Sequence, residues 1–208
     1  MPDYDKAREV WDQRFAGSAD YLFGREPNRF LAEQAHRLRP GQTVLCLADG
    51  EGRNGVFLAG RGMDVLSVDL SPVALAKARR LADEQGVALR LEEANLAEWS
   101  WPVAAFDAVV GIFFQFAGPR LRARIFESIR QALKPGGLLL LQGYRPEQLD
   151  YRTGGPPDAE NLYTEELLRE AFAGMEILHL RSHDDEIREG SAHVGMSALI
   201  DLVARKPG

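Results

Sequence analysis

The stretch Thr43-Val44-Leu45-Cys46-Leu47-Ala48-Asp49-Gly50-Glu51-Gly52-Arg53-Asn54-Gly55 constrains the fold more than any other part of this chain. An apolar run of strand length ends in a glycine turn, and a helical pattern follows at once. A second apolar run closes on Asp69, 19 residues past Gly50. Without a Cβ, Gly50 and Gly52 let the backbone pass close to a ligand. An acid at the carboxyl end of the next strand can accept both hydroxyls of a ribose. This is how an open α/β sheet holds an adenosine nucleoside. Gly50-Glu51-Gly52-Arg53-Asn54-Gly55 also reads G-x-G-x-x-G, the dinucleotide fingerprint, and a glycine turn with no ligand is the plain alternative.

The rest of the chain alternates strand and helix patterns. Residues 4–17 read as a helix with Trp11 and Phe15 on one face, followed by a loop from Gly17 to Glu26. Pro27 starts a second helix carrying Phe30, Leu31, Ala35 and Leu38, which Pro40-Gly41 stops. Strands are expected at 43–48, 64–69, 87–92, about 106–113, 138–143, 175–182 and 195–205. Helices are expected from the glycine turn to about Arg61-Gly62, from Pro72 to Gly86, from about Pro119 through Leu121, Ile125, Ile129 and Leu133, and over 164–173. Ser71 is a natural N-cap and Pro72 a natural first helical residue. Arg120, Arg122, Arg124 and Arg130 fall mostly off the apolar stripe and read as a solvated face. Residues 145–161 read as a Pro/Gly-rich loop and 183–190 as a charged turn. Alternation of this kind implies a doubly wound, Rossmann-like sheet of about seven strands, mostly parallel, with helices on both faces. Ligands on such sheets bind beyond the carboxyl ends of the strands. The glycine loop, Asp69, Asn95, Ile112 to Gln115 and Tyr144-Arg145 all fall at or just past such ends.

At 208 residues one domain over 1–208 is expected, with 1–40 as an N-terminal helical segment. The net charge of −6 implies no general attraction to nucleic acid. Cys46 is the only cysteine and lies within the first strand, so it reads as a buried, inert thiol. No apolar run approaches the ~20 residues needed to span a membrane, and the first residues lack a signal-peptide pattern, so the cytoplasm is the expected location. No set of residues has metal-ligand spacing.

Four features separate S-adenosylmethionine (SAM) from NAD as the adenosine ligand. Asp69 is followed directly by Leu70-Ser71-Pro72 and a helix. Leu133-Lys134-Pro135-Gly136-Gly137 precedes the run Leu138 to Leu141. The glycine turn lies about 50 residues in, behind a helical segment. The chain closes on two strand-like runs. In combination these features resemble the class I SAM-dependent methyltransferases over nearly the whole chain. Gly52-Arg53-Asn54, Trp11-Asp12-Gln13-Arg14-Phe15, Thr153-Gly154-Gly155-Pro156-Pro157 and the ending Ala204-Arg205-Lys206-Pro207 are similar to bacterial tellurite-resistance and thiopurine-type methyltransferases. The resemblance implies an antiparallel last strand and SAM as cofactor, with S-adenosylhomocysteine as product. It also implies methyl transfer to a small-molecule acceptor, with tellurium, selenium or sulfur as nucleophile. The chain departs from the family where Cys46 replaces an acid, Ala48 replaces a glycine and Gln115 stands where a histidine is frequent.

The resemblance and the strand-end positions together nominate Asp49, Gly50, Gly52, Arg53, Asp69, Leu70, Asn95, Leu96, Ile112 and Phe113 for the cofactor. Asp69 would take the ribose diol. Asn95 would meet the adenine edge with its carbonyl oxygen and NH2. Arg53 is either a partner for the methionine carboxylate or a surface residue of the first helical turn. Phe113 and Phe114 pack on adenine or in the core, with at least one ring expected in the core. Trp11, Phe15, Tyr21 and Phe23 form either an aromatic lid over the sulfonium, whose charge ring faces attract, or a docking contact for the first helix. Tyr144, Arg145 and His193 are the catalytic candidates; Tyr151 and Arg152 lie in the same loop region. Two other functions stay open: a non-catalytic SAM-binding relative, and an NAD-dependent oxidoreductase. Oligomeric state is not legible.

Overall fold

The computed structural model describes residues 4–208. Its helices are α1 (Tyr4–Ala16), α2 (Arg29–Gln34), α3 (Arg53–Gly60), α4 (Pro72–Gln85), α5 (Pro119–Ala132), α6 (Gln148–Tyr151) and α7 (Glu165–Ala171). Its strands are β1 (Thr43–Leu47), β2 (Asp64–Asp69), β3 (Arg90–Glu93), β4 (Phe106–Ile112), β5 (Leu133–Tyr144), β6 (Glu176–Glu189) and β7 (His193–Arg205). The strands form one seven-stranded sheet in the order β3-β2-β1-β4-β5-β7-β6. β1 runs parallel to β2, β2 to β3 and β4 to β5, whereas β7 is antiparallel to β5. This is the α/β sheet expected from the alternating pattern.

The chain packs as two compact units. One comprises residues up to Trp99 together with Glu189–Ala192; the other comprises Ser100–Arg188 and His193–Gly208. In the first, Val44 to Leu47 of β1 and Val65, Leu66 and Val68 of β2 are buried, as are Ala74, Leu75, Ala78, Leu81 and Ala82 of α4. A small second cluster joins Tyr21, Val56, Leu81 and Ala82 to Val87 and Leu89. In the second unit, Leu138 to Leu141 are all buried, as are Ile125, Phe126 and Ile129 of α5. Each fully buried leucine or isoleucine contributes roughly 1.5–3 kcal/mol, so a strand of four leucines covered on both faces anchors that unit.

Local signals set the element ends. Ser71 Oγ accepts from Ala74 N at 3.1 Å, Pro72 opens α4, and Gly86 closes it in the left-handed region (φ +66°). Asn28 caps α2, its Oδ1 accepting from Leu31 N at 3.0 Å, so that helix starts at Arg29 and not at Pro27. Thr164 caps α7.

Three regions differ from the sequence expectation. β3 is shorter than 87–92. β5 begins at Leu133, because the Gly136-Gly137 turn is bonded to the chain end: Gly136 N donates to Lys206 O and Lys206 N to Gly137 O. The largest difference is the hairpin of β6 and β7. Residues 183–189 extend β6 where a charged turn is expected. Exposed and partly buried residues alternate here, but the partly buried ones, His183, Asp185 and Glu189 among them, are mostly polar, so there is no apolar alternation to read. Arg122 also departs from the solvated face expected of it: it is buried and donates to Glu160 O.

The glycine turn owes its shape to packing. A Cβ on Gly52 (φ +83°) would lie 2.6 Å from Ala78 Cβ on α4, and one on Gly55 would lie 2.7 Å from Asp49 Oδ2. Gly52 and Gly55 therefore let α3 seat against α4 and β2, whereas the Gly50 position faces the Phe15 ring at 3.4 Å. Gly52→Ala combines overpacking with left-handed strain and should lower stability by about 2–4 kcal/mol in denaturant unfolding. Gly41→Ala, also at positive φ (+84°) but with nothing within 4 Å, should cost about 1–2 kcal/mol.

Candidate functional site

In the first unit the site grows from two carboxylates at the ends of β1 and β2. Asp69 Oδ2 accepts from Gly50 N at 2.8 Å and Oδ1 from Ser71 N at 2.9 Å. One side chain thus fixes both the glycine turn and the start of α4. Asp49 Oδ2 accepts from Gly55 N at 3.0 Å and from Ser67 Oγ at 2.9 Å, tying the turn back to α3 and β2. Asp49 performs the loop-organising role that Cys46 lacks the charge to perform; Cys46 is buried and its thiol is pushed up by burial and by Asp49. Ala48 takes φ +45°, a left-handed geometry in which a glycine would be unstrained.

Burial pushes both carboxyls up to about 6. At Asp49 the bonds from Ser67 and Gly55 pull against burial, with Arg53 helping them and Asp69 opposing. At Asp69 the backbone bonds from Ser71, Gly50 and Leu70 do the same, and the Asp12 charge adds to burial. Asp12 arrives from α1: Ser71 Oγ donates to its Oδ1, and Arg8 pairs with both Asp12 (3.8 Å) and Glu93 (3.1 Å). α1 is therefore pinned over the ends of β2 and β3 by charge as well as by Phe15.

The aromatic candidates divide. Trp11 stacks on Phe15 at 5.5 Å between centroids, and Phe23 packs against both at 6.5 and 6.2 Å. Phe15 is buried against Gly50. Tyr21 is not part of this group. It belongs to the α3–α4 core cluster, its hydroxyl donating to Lys77 O at 3.3 Å and its ring covered by Arg25 and Arg80.

The charged residues of the turn point away from it. Glu51 Oε1 pairs with Lys77 Nζ at 2.8 Å, and Glu51 Oε2 accepts from Leu22 N at 2.6 Å. Lys77 Nζ also donates to the carbonyls of Ser18 and Asp20, both at 2.9 Å. Arg53 pairs with Glu189 at 2.7 Å, and both side chains are about nine-tenths buried. Asn95 spends its carbonyl oxygen on Ala97 N at 3.0 Å, and Leu96 is buried. Leu70 follows Asp69 into the α4 cap. Asp12, Lys77, Asn28 and Glu189 are the contributors that sequence reasoning missed. Only Asp12 left a trace, in the run beginning at Trp11.

The second unit holds the other candidates. Ile112 ends β4 and is buried. Phe113 takes φ +54° and stacks on Tyr144 at 4.5 Å, while His193 meets both rings edge-on at 4.9 and 5.9 Å. Phe114 is the core ring, filling the space beside Gly111 and packing on Phe126. Gln115 clasps the Tyr144 backbone, donating to Tyr144 O at 2.9 Å and accepting from Tyr144 N at 2.5 Å. Arg145 is a strut: its guanidinium donates to Leu199 O and pairs with Glu147 and Asp184, and Tyr151 donates to Asp184 from the other side. Arg152 caps α6 in the left-handed region.

A sheet of this topology, with an acid at the end of β2 holding the glycine turn at the end of β1, agrees with a family match: residues 44–137 fit the model of a methyltransferase domain. Over that stretch the chain is similar to a methyltransferase domain. It is 36% identical over 113 residues to the ribosomal protein L11 methyltransferase of Thermus thermophilus, covering 54% of this chain and 42% of that protein. The chain spans less than half the length of the curated relatives it matches. Among solved structures, TehB from Haemophilus influenzae superposes with a TM-score of 0.72 at 18% identity, over 94% of this chain and 67% of that one. A protein studied for conversion of a disulfide bond into a thioacetal group during echinomycin biosynthesis superposes at 0.78 and 20% identity, over 96% and 91%. At these identities the two likenesses show the fold. No helix among the described residues is long and apolar enough to cross a membrane.

The two raised carboxyls make a stability prediction. In the unfolded chain each ionises near pH 4; in the folded protein each keeps its proton to about pH 6. Between these values the folded state holds more protons, so the contribution of each group to stability falls as pH rises from about 4 to about 6. Two pH units correspond to about 2.7 kcal/mol per group at most. Urea unfolding of cofactor-free wild type and Asp69→Asn across this window should show a steeper loss with pH in the wild type by about 1–3 kcal/mol.

Proposed function

We propose that this protein transfers the methyl group of SAM to a small-molecule acceptor with a tellurium, selenium or sulfur nucleophile. The observation that carries the reading is the Asp69 carboxylate bonded to Gly50 N–H, which puts a ribose-binding acid directly on the glycine turn. The Asp69 carboxylate accepts backbone bonds from Gly50, Ser71 and Leu70, and a carboxylate has about four acceptor positions, so one remains for a ribose hydroxyl. The bare face of Gly50 looks toward the buried Phe15 ring. Phe23, packed at the edge of the Trp11–Phe15 stack, brings an aromatic ring suited to a sulfonium. The residues present therefore fit SAM.

Bound SAM supplies a methyl group on a positively charged sulfur, activated for in-line displacement. The chain's part is to orient and to exclude water, which is worth ~7–11 kcal/mol when the reacting atoms are held in line. Asp69 and the glycine turn would hold the nucleoside end, and Phe23 would shield the positive centre. Arg145 is committed to Leu199 O, Glu147 and Asp184. An acceptor that is already anionic, or soft and easily ionised, needs little general-base help, which fits the tellurium, selenium or sulfur class. The likeness in fold to TehB and to the thioacetal-forming protein is consistent with that class. Asp49's bonds to Gly55 and Ser67 keep the turn organised without an acid at position 46.

Calorimetric titration with SAM, S-adenosylhomocysteine and NAD tests the cofactor. Saturable binding of the first two is expected, weakened at least tenfold by Asp69→Ala. Binding of NAD alone would overturn the reading. With the cofactor established, an acceptor screen with tellurite, selenite and small thiols should yield a methylated product detectable by headspace mass spectrometry. SAM binding without turnover on that panel would exclude this acceptor class.

A further inference from the structure

Residues 22–28 form a strap fixed at both ends by buried side chains: Tyr21 on one side, Phe30 and Leu31 on the other. Between them, polar groups do the holding. Glu51 accepts from the amides of Leu22 and Phe23 at 2.6 and 3.4 Å. Asn28 N donates to Asn54 Oδ1 at 2.9 Å. The remaining partner comes from the far end of the chain. Glu189 pairs through Oε2 with Arg53, and its Oε1 accepts from Asn28 Nδ2 at 3.0 Å. Arg53 in turn donates to Glu26 O at 3.3 Å. Beside this cluster Ser191 N and Ala192 N donate to Leu22 O at 3.0 and 3.3 Å. Gly190 (φ +61°) lies so close that a Cβ would sit 2.3 Å from Leu22 O and 2.4 Å from Gly24 N. The tip of the β6–β7 hairpin is thus closed onto the strap by backbone bonds and one buried ion pair.

The strap carries Phe23 into the ring group with Trp11 and Phe15, and Phe15 lies on Gly50. Opening the strap would withdraw a wall of the aromatic group beside the glycine turn. The chemistry of the fastening suits a reversible contact. An apolar pair of the same volume is often as stable as a buried ion pair or more so, but it gains nothing from exposure. Arg53 and Glu189 are each well solvated when apart, so the strap can lift without exposing new apolar surface at the fastening.

We propose that Glu189 is a positioning residue for the cofactor: acting through Arg53 and Asn28, it clasps residues 22–28 over the glycine turn, and release of this clasp sets the rate at which cofactor and product leave. The role rests on the SAM reading above, but the clasp itself does not. Amide hydrogen exchange on cofactor-free protein tests the clasp, and surface plasmon resonance with S-adenosylhomocysteine tests its consequence. Glu189→Gln should raise exchange in residues 22–28 at least tenfold while β1 and β5 stay as protected as in wild type. It should speed S-adenosylhomocysteine dissociation by a similar factor. Glu189→Asp, shorter by one methylene, should fall between the two. The double variant Arg53→Met with Glu189→Met removes the ion pair together with the acceptor for Asn28 Nδ2 and the donor to Glu26 O, and should open the strap and speed dissociation at least as much as Glu189→Gln.

Exchange that rises uniformly along the chain, or not at all in 22–28, would overturn the clasp. Opening of 22–28 with unchanged dissociation would overturn its role in cofactor release. A wild-type protein that does not bind S-adenosylhomocysteine would sink the cofactor reading and that role with it, while the exchange result would still decide the clasp.

Discussion

The bond between Gly50 N–H and the Asp69 carboxylate is the constraint on which the first unit depends. It joins two turns that are far apart in the chain and forces the ends of β1 and β2 to present their backbone to the same point. Such a bond is strong only where water is scarce, and burial sets its cost. A carboxylate withdrawn from solvent is held up to about pH 6, and the accepted amides keep it from rising further. Asp49 repeats the arrangement one turn away, with Gly55 N and Ser67 Oγ as its donors. Two buried acids at neighbouring strand ends repel each other. Their coexistence requires that nearly every acceptor position be used or left facing a ligand that donates.

The same economy governs the turn's charged neighbours. In the sequence, Glu51 and Arg53 flank Gly52 and look like groups offered to a ligand. In the structure Glu51 is closed by Lys77 and the Leu22 amide, and Arg53 by Glu189. Both serve to hold the N-terminal loop and the hairpin tip against the turn. The acid that the family carries in β1 is absent here, yet its work is done by Asp49, three residues further along and reaching back. A motif can therefore lose a residue and keep its geometry, because the requirement is a carboxylate at a point in space and not at a position in the chain.

How much of this was legible in the sequence follows from the range of each interaction. Glycine turn, Asp69, the Ser71-Pro72 cap and the Gly86 stop all act within a few residues, and their chemistry is unique to their residue types. The leucines of β5 were equally plain, because a strand buried on both faces needs no alternation. The distal half of the β6–β7 hairpin was not legible: Asp184, Asp185, Glu186, Arg188 and Glu189 carry no apolar period. The partnership of Glu189 with Arg53 spans 136 residues and has no local signature. Tyr21 misled for a related reason. An aromatic residue in a loop beside Phe23 looks like part of the same wall, but its hydroxyl finds Lys77 O and its ring turns into the α3–α4 core.

In the second unit Gln115, which stands where the resembling family often has a histidine, has a structural task. Gln115 uses both ends of its amide on the Tyr144 backbone. A histidine cannot clasp one residue's N–H and C=O in that way, since its two nitrogens diverge across a rigid ring. Tyr144 is fixed in this manner at the end of β5, with Phe113 pressed on its face in a left-handed backbone geometry that costs about 1–2 kcal/mol. Strain of this kind persists only where surrounding contacts over-determine it, and here the Gln115 clasp and the Phe113 N–H bond to Gln142 O supply them. What the sequence offered as catalytic side chains is thus largely a rigid frame. A rigid frame suits an acceptor that brings its own reactivity, and the proposed soft nucleophile is of that kind.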